Sequence, residues 1–224
     1  MWNQKVLKAV IFDLDDTLLT SQIDFSEMKI KMIEYLERRL PLPVELNKNR
    51  LTYEIIQYAV ESLNELDLSD CIPKVVRELD GIMSETEMKY VFNAQLIDGA
   101  TQTLGRIKSA GMRIGILTRS CRKYADEVLK TTGLSTFVDV VAARDDCENP
   151  KPDPSQVYWL MDKMGVESDQ VLMIGDHPTD LVCARNAGIA FVGVLTGAWS
   201  PGQLNQLEPT VVSSVKELPR LLNL

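Results

Sequence analysis

The order of apolar and polar positions divides the chain into three stretches. Val6 to Phe12 is a short apolar run rich in Val and Ile, the pattern of a strand buried on both faces. It stops on Asp13, Asp15 and Asp16, three acids within four residues. From Ile23 to about Leu96 the period turns helical. Met28, Met32, Tyr35 and Leu36 recur at helical spacing among charged residues, and Pro41-Leu42-Pro43 ends that helix. Leu51 to Leu66 predicts a second helix, with Ile55, Ile56, Ala59, Val60 and Leu63 on one side. Pro73 to Leu79 predicts a third. Ser84-Glu85-Thr86-Glu87 has the spacing of a capping box and predicts a fresh helix start.

From Asp98 onward helices and strands alternate. The helices are Ala100 to Ala110, Tyr124 to Thr132, Ser155 to Met164 and Leu181 to Ala187, each followed by a glycine suited to stop it (Gly111, Gly133, Gly165, Gly188). The strands are Met112 to Leu117, Val138 to Ala142, Val171 to Ile174 and Phe191 to Leu195. A short one follows at Thr210-Val211-Val212, and a closing helix starts at about Val215. This rhythm predicts an α/β protein. Its core, residues 1–20 and 97–224, is a doubly wound parallel-sheet (Rossmann-like) domain. Residues 21–96 form an all-helical insert that reads as a cap domain.

Composition narrows the picture. A chain of 224 residues suits one large domain, or a core with a smaller insert. Its formal net charge of −8 argues against a general nucleic-acid binder. Cys71, Cys121, Cys147 and Cys183 are scattered with no CxxC pair, which reads as reduced thiols. The apolar run after Met1-Trp2-Asn3-Gln4-Lys5 is too short for a signal peptide, and no run approaches the ~20 residues that span a bilayer. The expectation is a cytoplasmic protein with neither nucleic acid nor membrane as partner. Its oligomeric state is left open.

The chemistry gathers at strand ends. In an open α/β sheet, ligands bind outside the carboxyl ends of the strands. Asp13 and Asp15 would stand at that mouth, although an acidic turn or a cap ahead of Thr17-Leu18-Leu19 fits the same residues. Thr118 ends its strand, where its hydroxyl can donate to a phosphate oxygen or cap the next helix. Lys151 lies in Asn149-Pro150-Lys151-Pro152-Asp153-Pro154. The prolines stiffen the loop and hold an ammonium that can balance phosphate and carboxylate charge; a solvated lysine is the ordinary alternative. Gly175-Asp176-His177-Pro178-Thr179-Asp180 follows another buried strand. Asp176 and Asp180 offer hard oxygen ligands to Mg²⁺, or a capped helix start. His177, the only histidine, reads as a loop residue rather than a ligand. Arg119 faces either substrate or solvent. Arg38-Arg39 and Lys48-Asn49-Arg50 read as solvated surface.

Taken together, Asp13-x-Asp15-x-Thr17, Thr118, Lys151 before Pro152, and Gly175-Asp176-x-x-x-Asp180 resemble the four motifs of the haloacid dehalogenase superfamily. They stand in order, each after the expected element. The resemblance covers about residues 5–20 and 97–200. Residues 21–96 stand where that superfamily carries a helical cap, matching in type and position but by no motif. The resemblance implies an Mg²⁺-dependent phosphatase acting on a small phosphorylated metabolite (phosphoglycolate-like, a sugar phosphate or a nucleotide). It makes Asp13 the nucleophile that becomes an aspartyl phosphate, and Asp15 the general acid and then the base. Thr118 and Lys151 would orient and neutralise the phosphate, with Arg119 a further substrate-binding candidate. Asp13, the Asp15 backbone carbonyl and Asp176 would bind Mg²⁺, supported by Asp180.

Asp15 favours phosphoryl chemistry over dehalogenation, because a leaving alkoxide needs a proton and a halide does not. One departure stands out. Many sugar-phosphate mutases and phosphoglycolate phosphatases of the superfamily read Asp-Gly-Thr where this chain has Asp15-Asp16-Thr17, and often an acid where it has Thr20. A phosphomutase using the same aspartyl phosphate, or a non-catalytic phosphoacceptor relative, are the alternatives.

Overall fold

The computed structural model describes residues 7–40, 49–147, 149–197, 199–207 and 209–224. Val6, the break Pro41-Leu42-Pro43 and Lys48 lie outside them. The chain divides into two compact units, Gln22–Tyr90 and the combination of Met1–Ser21 with Val91–Leu224.

The first unit is built of three helices, α1 (Phe25–Arg39), α2 (Thr52–Glu65) and α3 (Ile72–Lys89). Asp24 caps α1, its carboxylate accepting from the Glu27 N–H at 2.8 Å. Of the predicted stripes, Met28, Met32 and Leu36 on α1 and Ile55, Ala59 and Leu63 on α2 are buried, while Tyr35, Ile56 and Val60 at their edges are half-buried. The predicted helix start at Ser84 is corrected. α3 runs unbroken from Ile72 to Lys89, because Val75, Leu79, Met83 and Thr86 continue one buried face through that point. The Thr86 hydroxyl donates to the Ile82 carbonyl at 2.9 Å, a bond of helix interiors and not of caps.

The second unit holds a six-stranded sheet. Its elements are β1 (Ala9–Phe12), α4 (Ala100–Ser109), β4 (Arg113–Leu117), α5 (Arg122–Thr131), β5 (Val140–Ala142), α6 (Ser155–Met164), β6 (Val171–Gly175), α7 (Pro178–Asn186), β7 (Ala190–Val194), α8 (Pro201–Leu207), β8 (Val211–Val212) and α9 (Leu218–Leu221). The remaining strands, β2 (Leu19–Thr20) and β3 (Gln95–Leu96), form a separate antiparallel ribbon. The sheet order is β5-β4-β1-β6-β7-β8 with every neighbouring pair parallel. This is the α/β doubly wound architecture expected from the sequence.

All four residues of β1 are fully buried. Ala9 and Ile11 join Val171 and Met173 under Val157, Leu160 and Met164 of α6 and Cys183 and Ala184 of α7. Val10 and Phe12 point to the opposite face by strand alternation and are equally buried. A strand covered on both faces needs a continuous apolar run, which is why β1 reads without alternation. From β1 the chain fills one side of the sheet with β4 and β5, then returns to the other side with β6, β7 and β8. The carboxyl end of β1 is therefore the topological switch point, where open α/β sheets hold their ligands.

Several boundaries differ from expectation; α5 starts at Arg122 rather than Tyr124 and β5 at Val140 rather than Val138. The helical unit ends at Tyr90, and residues 91–96 group with the sheet unit, because Leu19 pairs with Leu96 and Thr20 with Gln95. α7 begins at Pro178 rather than Leu181, since His177 caps it and Pro178 suits a first helical position. The closing helix is short: a 3₁₀ turn at Val215–Glu217 leads into α9. Among the described residues no helix is long and apolar enough to cross a membrane.

Candidate active site

Four segments deliver the motif residues to the carboxyl edge of the sheet. Asp13 follows β1, and its N–H extends the ladder by donating to the Ile174 carbonyl at 2.8 Å. Thr118 follows β4, with its N–H on the Ala142 carbonyl at 3.0 Å. Asp176 follows β6, and Lys151 comes from the loop between β5 and α6.

Lys151 is 2% exposed, so the solvated alternative does not hold. Its ammonium donates to Asp13 Oδ1, and to Asp180 Oδ1 at 2.7 Å. Burial alone would favour the neutral amine; the two carboxylates outweigh it and push the lysine above its ordinary value. Asp13 goes the other way. Its burial raises it well above the usual carboxylate range, with Lys151 pulling it down and Asp180 and Asp176 adding to the rise. Burial, then repulsion from Asp180, lifts Asp176 to about 6, although the Thr17 hydroxyl donates to its Oδ1 at 3.0 Å.

Asp180 serves twice. One oxygen takes the Lys151 ammonium, and the other caps α7 by accepting from the His177 N–H at 3.0 Å. Of the two sequence alternatives for Asp180, a ligand for Mg²⁺ or a capped helix start, the cap is seen here, beside an ion pair to Lys151. His177 completes the cap, its Nδ1 accepting from the Thr179 N–H at 3.1 Å. Burial lowers its pKa and so favours the neutral ring.

Two glycines make room for these acids. A Cβ on Gly175 would come within 2.4 Å of Asp180 Oδ2, and one on Gly197 within 1.7 Å of Asp176 Oδ2. Gly197 belongs to no motif, and only its close approach in the folded chain identifies it.

Asp13, Asp176 and Asp180 each place a carboxylate oxygen within 4.8 Å of the others. Three buried carboxylates face one ammonium, and the donor set is all oxygen. That charge imbalance and those hard donors fit a divalent cation of the Mg²⁺ kind. The Asp15 carboxylate is engaged elsewhere. The Ser120 hydroxyl donates to its Oδ2 at 2.8 Å, and the Tyr124 hydroxyl to its Oδ1 at 2.9 Å.

Thr118 does not cap α5, whose N-cap is Cys121; its hydroxyl oxygen accepts from the Ser120 N–H at 3.0 Å. Arg119 is half-buried, and its charge reaches His177. Its carbonyl accepts from the Arg144 guanidinium at 2.8 Å. Asp16 sits at φ 57, a left-handed conformation open to glycine and tolerated by aspartate. This backbone suits either the glycine expected from the resemblance or the aspartate that the chain carries.

Comparisons with known proteins agree with this geometry. The phosphoglycolate phosphatase of Rhodospirillum rubrum is 31% identical over 191 residues, covering 83% of this chain and 78% of its own length. The pyrophosphatase PpaX of Bacillus velezensis is 28% identical over 204 residues, covering 88% and 85%. In fold, a hydrolase from Pseudomonas syringae superposes with a TM-score of 0.73 at 23% identity, covering 96% of this chain and 98% of that one. Residues 10–194, from β1 through the end of β7, match the haloacid dehalogenase-like hydrolases, and the chain belongs to that family.

Proposed function

We propose that the chain is an Mg²⁺-dependent phosphatase of a small phosphorylated metabolite in the cytoplasm, working through an aspartyl phosphate on Asp13. The observation that carries this reading is the buried Asp13–Lys151–Asp180 ion-pair set beside Asp176 at the switch point of the sheet. A carboxylate attacking a phosphate dianion is repelled, and a fixed ammonium offsets that charge. The names of the relatives, phosphoglycolate phosphatase and pyrophosphatase, support removal of a phosphoryl group from a small anion.

In this reading an Asp13 oxygen bonds to phosphorus as the bond to the leaving oxygen breaks. Asp15 gives that oxygen its proton. Asp15 then takes a proton from water as the water oxygen bonds to phosphorus, and the Asp13–phosphorus bond breaks. Thr118 and Lys151 hold the phosphate, with Arg119 beside them for the remainder of the substrate. Asp13, Asp176 and the Asp15 carbonyl would hold Mg²⁺, with Asp180 behind; the ion would supply positive charge against the phosphate oxygens. The helical unit, residues 22–90, would act as a cap that closes to exclude water until the leaving group departs.

The test is a panel of phosphate esters, including phosphoglycolate, sugar phosphates, nucleotides and pyrophosphate, assayed for inorganic phosphate with Mg²⁺ and with EDTA. Release with Mg²⁺ alone, with label trapped on Asp13 after acid quench, is the expected result. Full turnover in metal-free buffer, or in an Asp13→Asn variant, would overturn the mechanism. Transfer of the phosphoryl group to a second hydroxyl without free phosphate would make the protein a mutase.

A further inference from the structure

Resting on that reading, we infer that Ser120 and Tyr124 are positioning residues for the proton-transferring carboxyl of Asp15, one hydroxyl clamping each of its oxygens. The sequence motifs assign neither residue.

Both donors are fixed before they reach the acid. Ser120 is 6% exposed. Its N–H donates to Thr118 Oγ1 at 3.0 Å, and its carbonyl accepts from the Arg144 N–H at 3.0 Å. Its hydroxyl is therefore aimed by two backbone anchors, one of them the phosphate-side threonine. Tyr124 lies in the first turn of α5 with no exposed surface. A phenol buried that deeply needs a partner for its O–H, and Asp15 Oδ1 is 2.9 Å away. The two oxygens of Asp15 thus carry separate donors from two points on the same segment, at 2.8 Å and 2.9 Å. A carboxyl held at one oxygen can still rotate; one held at both presents a single plane to the leaving group.

The clamp also bears on the proton transfer itself. As the bond from phosphorus to the leaving oxygen breaks, the proton passes from Asp15 to that oxygen, and the electron pair of the O–H bond stays on the carboxylate. Negative charge then develops on atoms that already face two O–H donors. Those hydrogen bonds strengthen in the transition state, which is where an interaction accelerates a step. The effect is required only for leaving groups too basic to depart unprotonated.

The test compares phenyl phosphate with 4-nitrophenyl phosphate, two esters of similar shape whose leaving groups differ in their need for a proton. The readout is kcat/KM, which covers the steps through cleavage of the first bond. Tyr124→Phe keeps the buried ring and removes only the hydroxyl; Ser120→Ala does the same at the other oxygen. Each is expected to lower kcat/KM on phenyl phosphate about tenfold and on 4-nitrophenyl phosphate less than about threefold. Ser120→Thr, which keeps a hydroxyl, should restore most of the loss. In an Asp15→Asn background the same changes should add nothing on 4-nitrophenyl phosphate. Circular dichroism melts of each variant separate unfolding from loss of the clamp. Equal losses on the two esters, or losses that persist undiminished in the Asp15→Asn background, would overturn the inference while leaving the phosphatase reading intact. A parent protein inert towards every ester would overturn both.

Discussion

Lys151 and Asp13 are bonded to each other, yet they stand on opposite sides of the stability balance. Lys151→Met would leave the buried Asp13 and Asp180 carboxylates without their ammonium. A buried pair broken from one side costs about 3–5 kcal/mol, so the urea midpoint should fall by that equivalent, with activity lost. Asp13→Asn should behave differently. A carboxyl whose folded value is raised contributes its stability at low pH and loses it as pH climbs towards the folded value. A neutral amide at position 13 cannot ionise and so escapes that loss, while Lys151 keeps Asp180 as a partner. The expected outcome is a urea midpoint no lower than the parent's in a protein that releases no phosphate. At this scale the sequence displayed the residues with strong local context, such as Lys151 between prolines and Asp13 after an apolar run. Ser120, Tyr124 and Gly197 carried no such mark. A hydroxyl or a missing Cβ acquires meaning only when the fold brings Asp15 or Asp176 beside it.

Among the elements, Asp139 shows how one carboxylate joins a helix and two strands. It lies just before β5 and accepts from Lys108 of α4 at 2.9 and 2.8 Å, from Arg113 of β4 at 3.2 Å, and from the Ile114 N–H at 2.8 Å. Burial works to raise its pKa, but these donors outweigh it and hold it below the usual carboxylate value. A depressed carboxylate contributes its full stability above the unfolded value, near 4. That contribution is lost as pH falls from there through the folded value. Asp139→Asn should therefore destabilise the protein by about 1.5–3 kcal/mol at pH 7 and by progressively less below pH 4, read as converging urea midpoints. The strands β1 and β6 were legible because burial on both faces enforces unbroken apolar runs, and β4 from Ile114 onward for the same reason. The start proposed at Ser84 failed because a capping-box spacing also occurs by chance on a helix face, and the apolar register of α3 overrode it. The two-residue strands β2 and β3 were not legible at all. Their pairing links residues far apart in the chain, and a pair of residues has no period.

For the whole molecule, the −8 charge and the three clustered carboxylates mean that a divalent ion, on the proposed reading, would be a stabilising ligand as well as a cofactor. At a hundredfold excess over Kd, linkage gives about 2.7 kcal/mol, so the melting temperature should rise with Mg²⁺ concentration. That rise should disappear in Asp176→Asn. The β2–β3 ribbon has a separate consequence. Leu19 faces Leu96 and Thr20 faces Gln95, and the Ile97 N–H closes on the Leu18 carbonyl at 3.0 Å. To the rest of the chain the helical unit is a long hairpin loop whose ends are already stitched together. Lengthening or shortening such a loop changes closure entropy only slowly. Residues 22–90 should therefore be exchangeable for a short flexible linker between Ser21 and Val91, which leaves the ribbon and the buried Val91 in place. The shortened chain should unfold in one cooperative transition and still gain stability from Mg²⁺, whereas a non-cooperative melt would refute the exchange. Such a joint lets a lineage swap whatever it carries between the strands without disturbing Asp13, six residues upstream of Leu19.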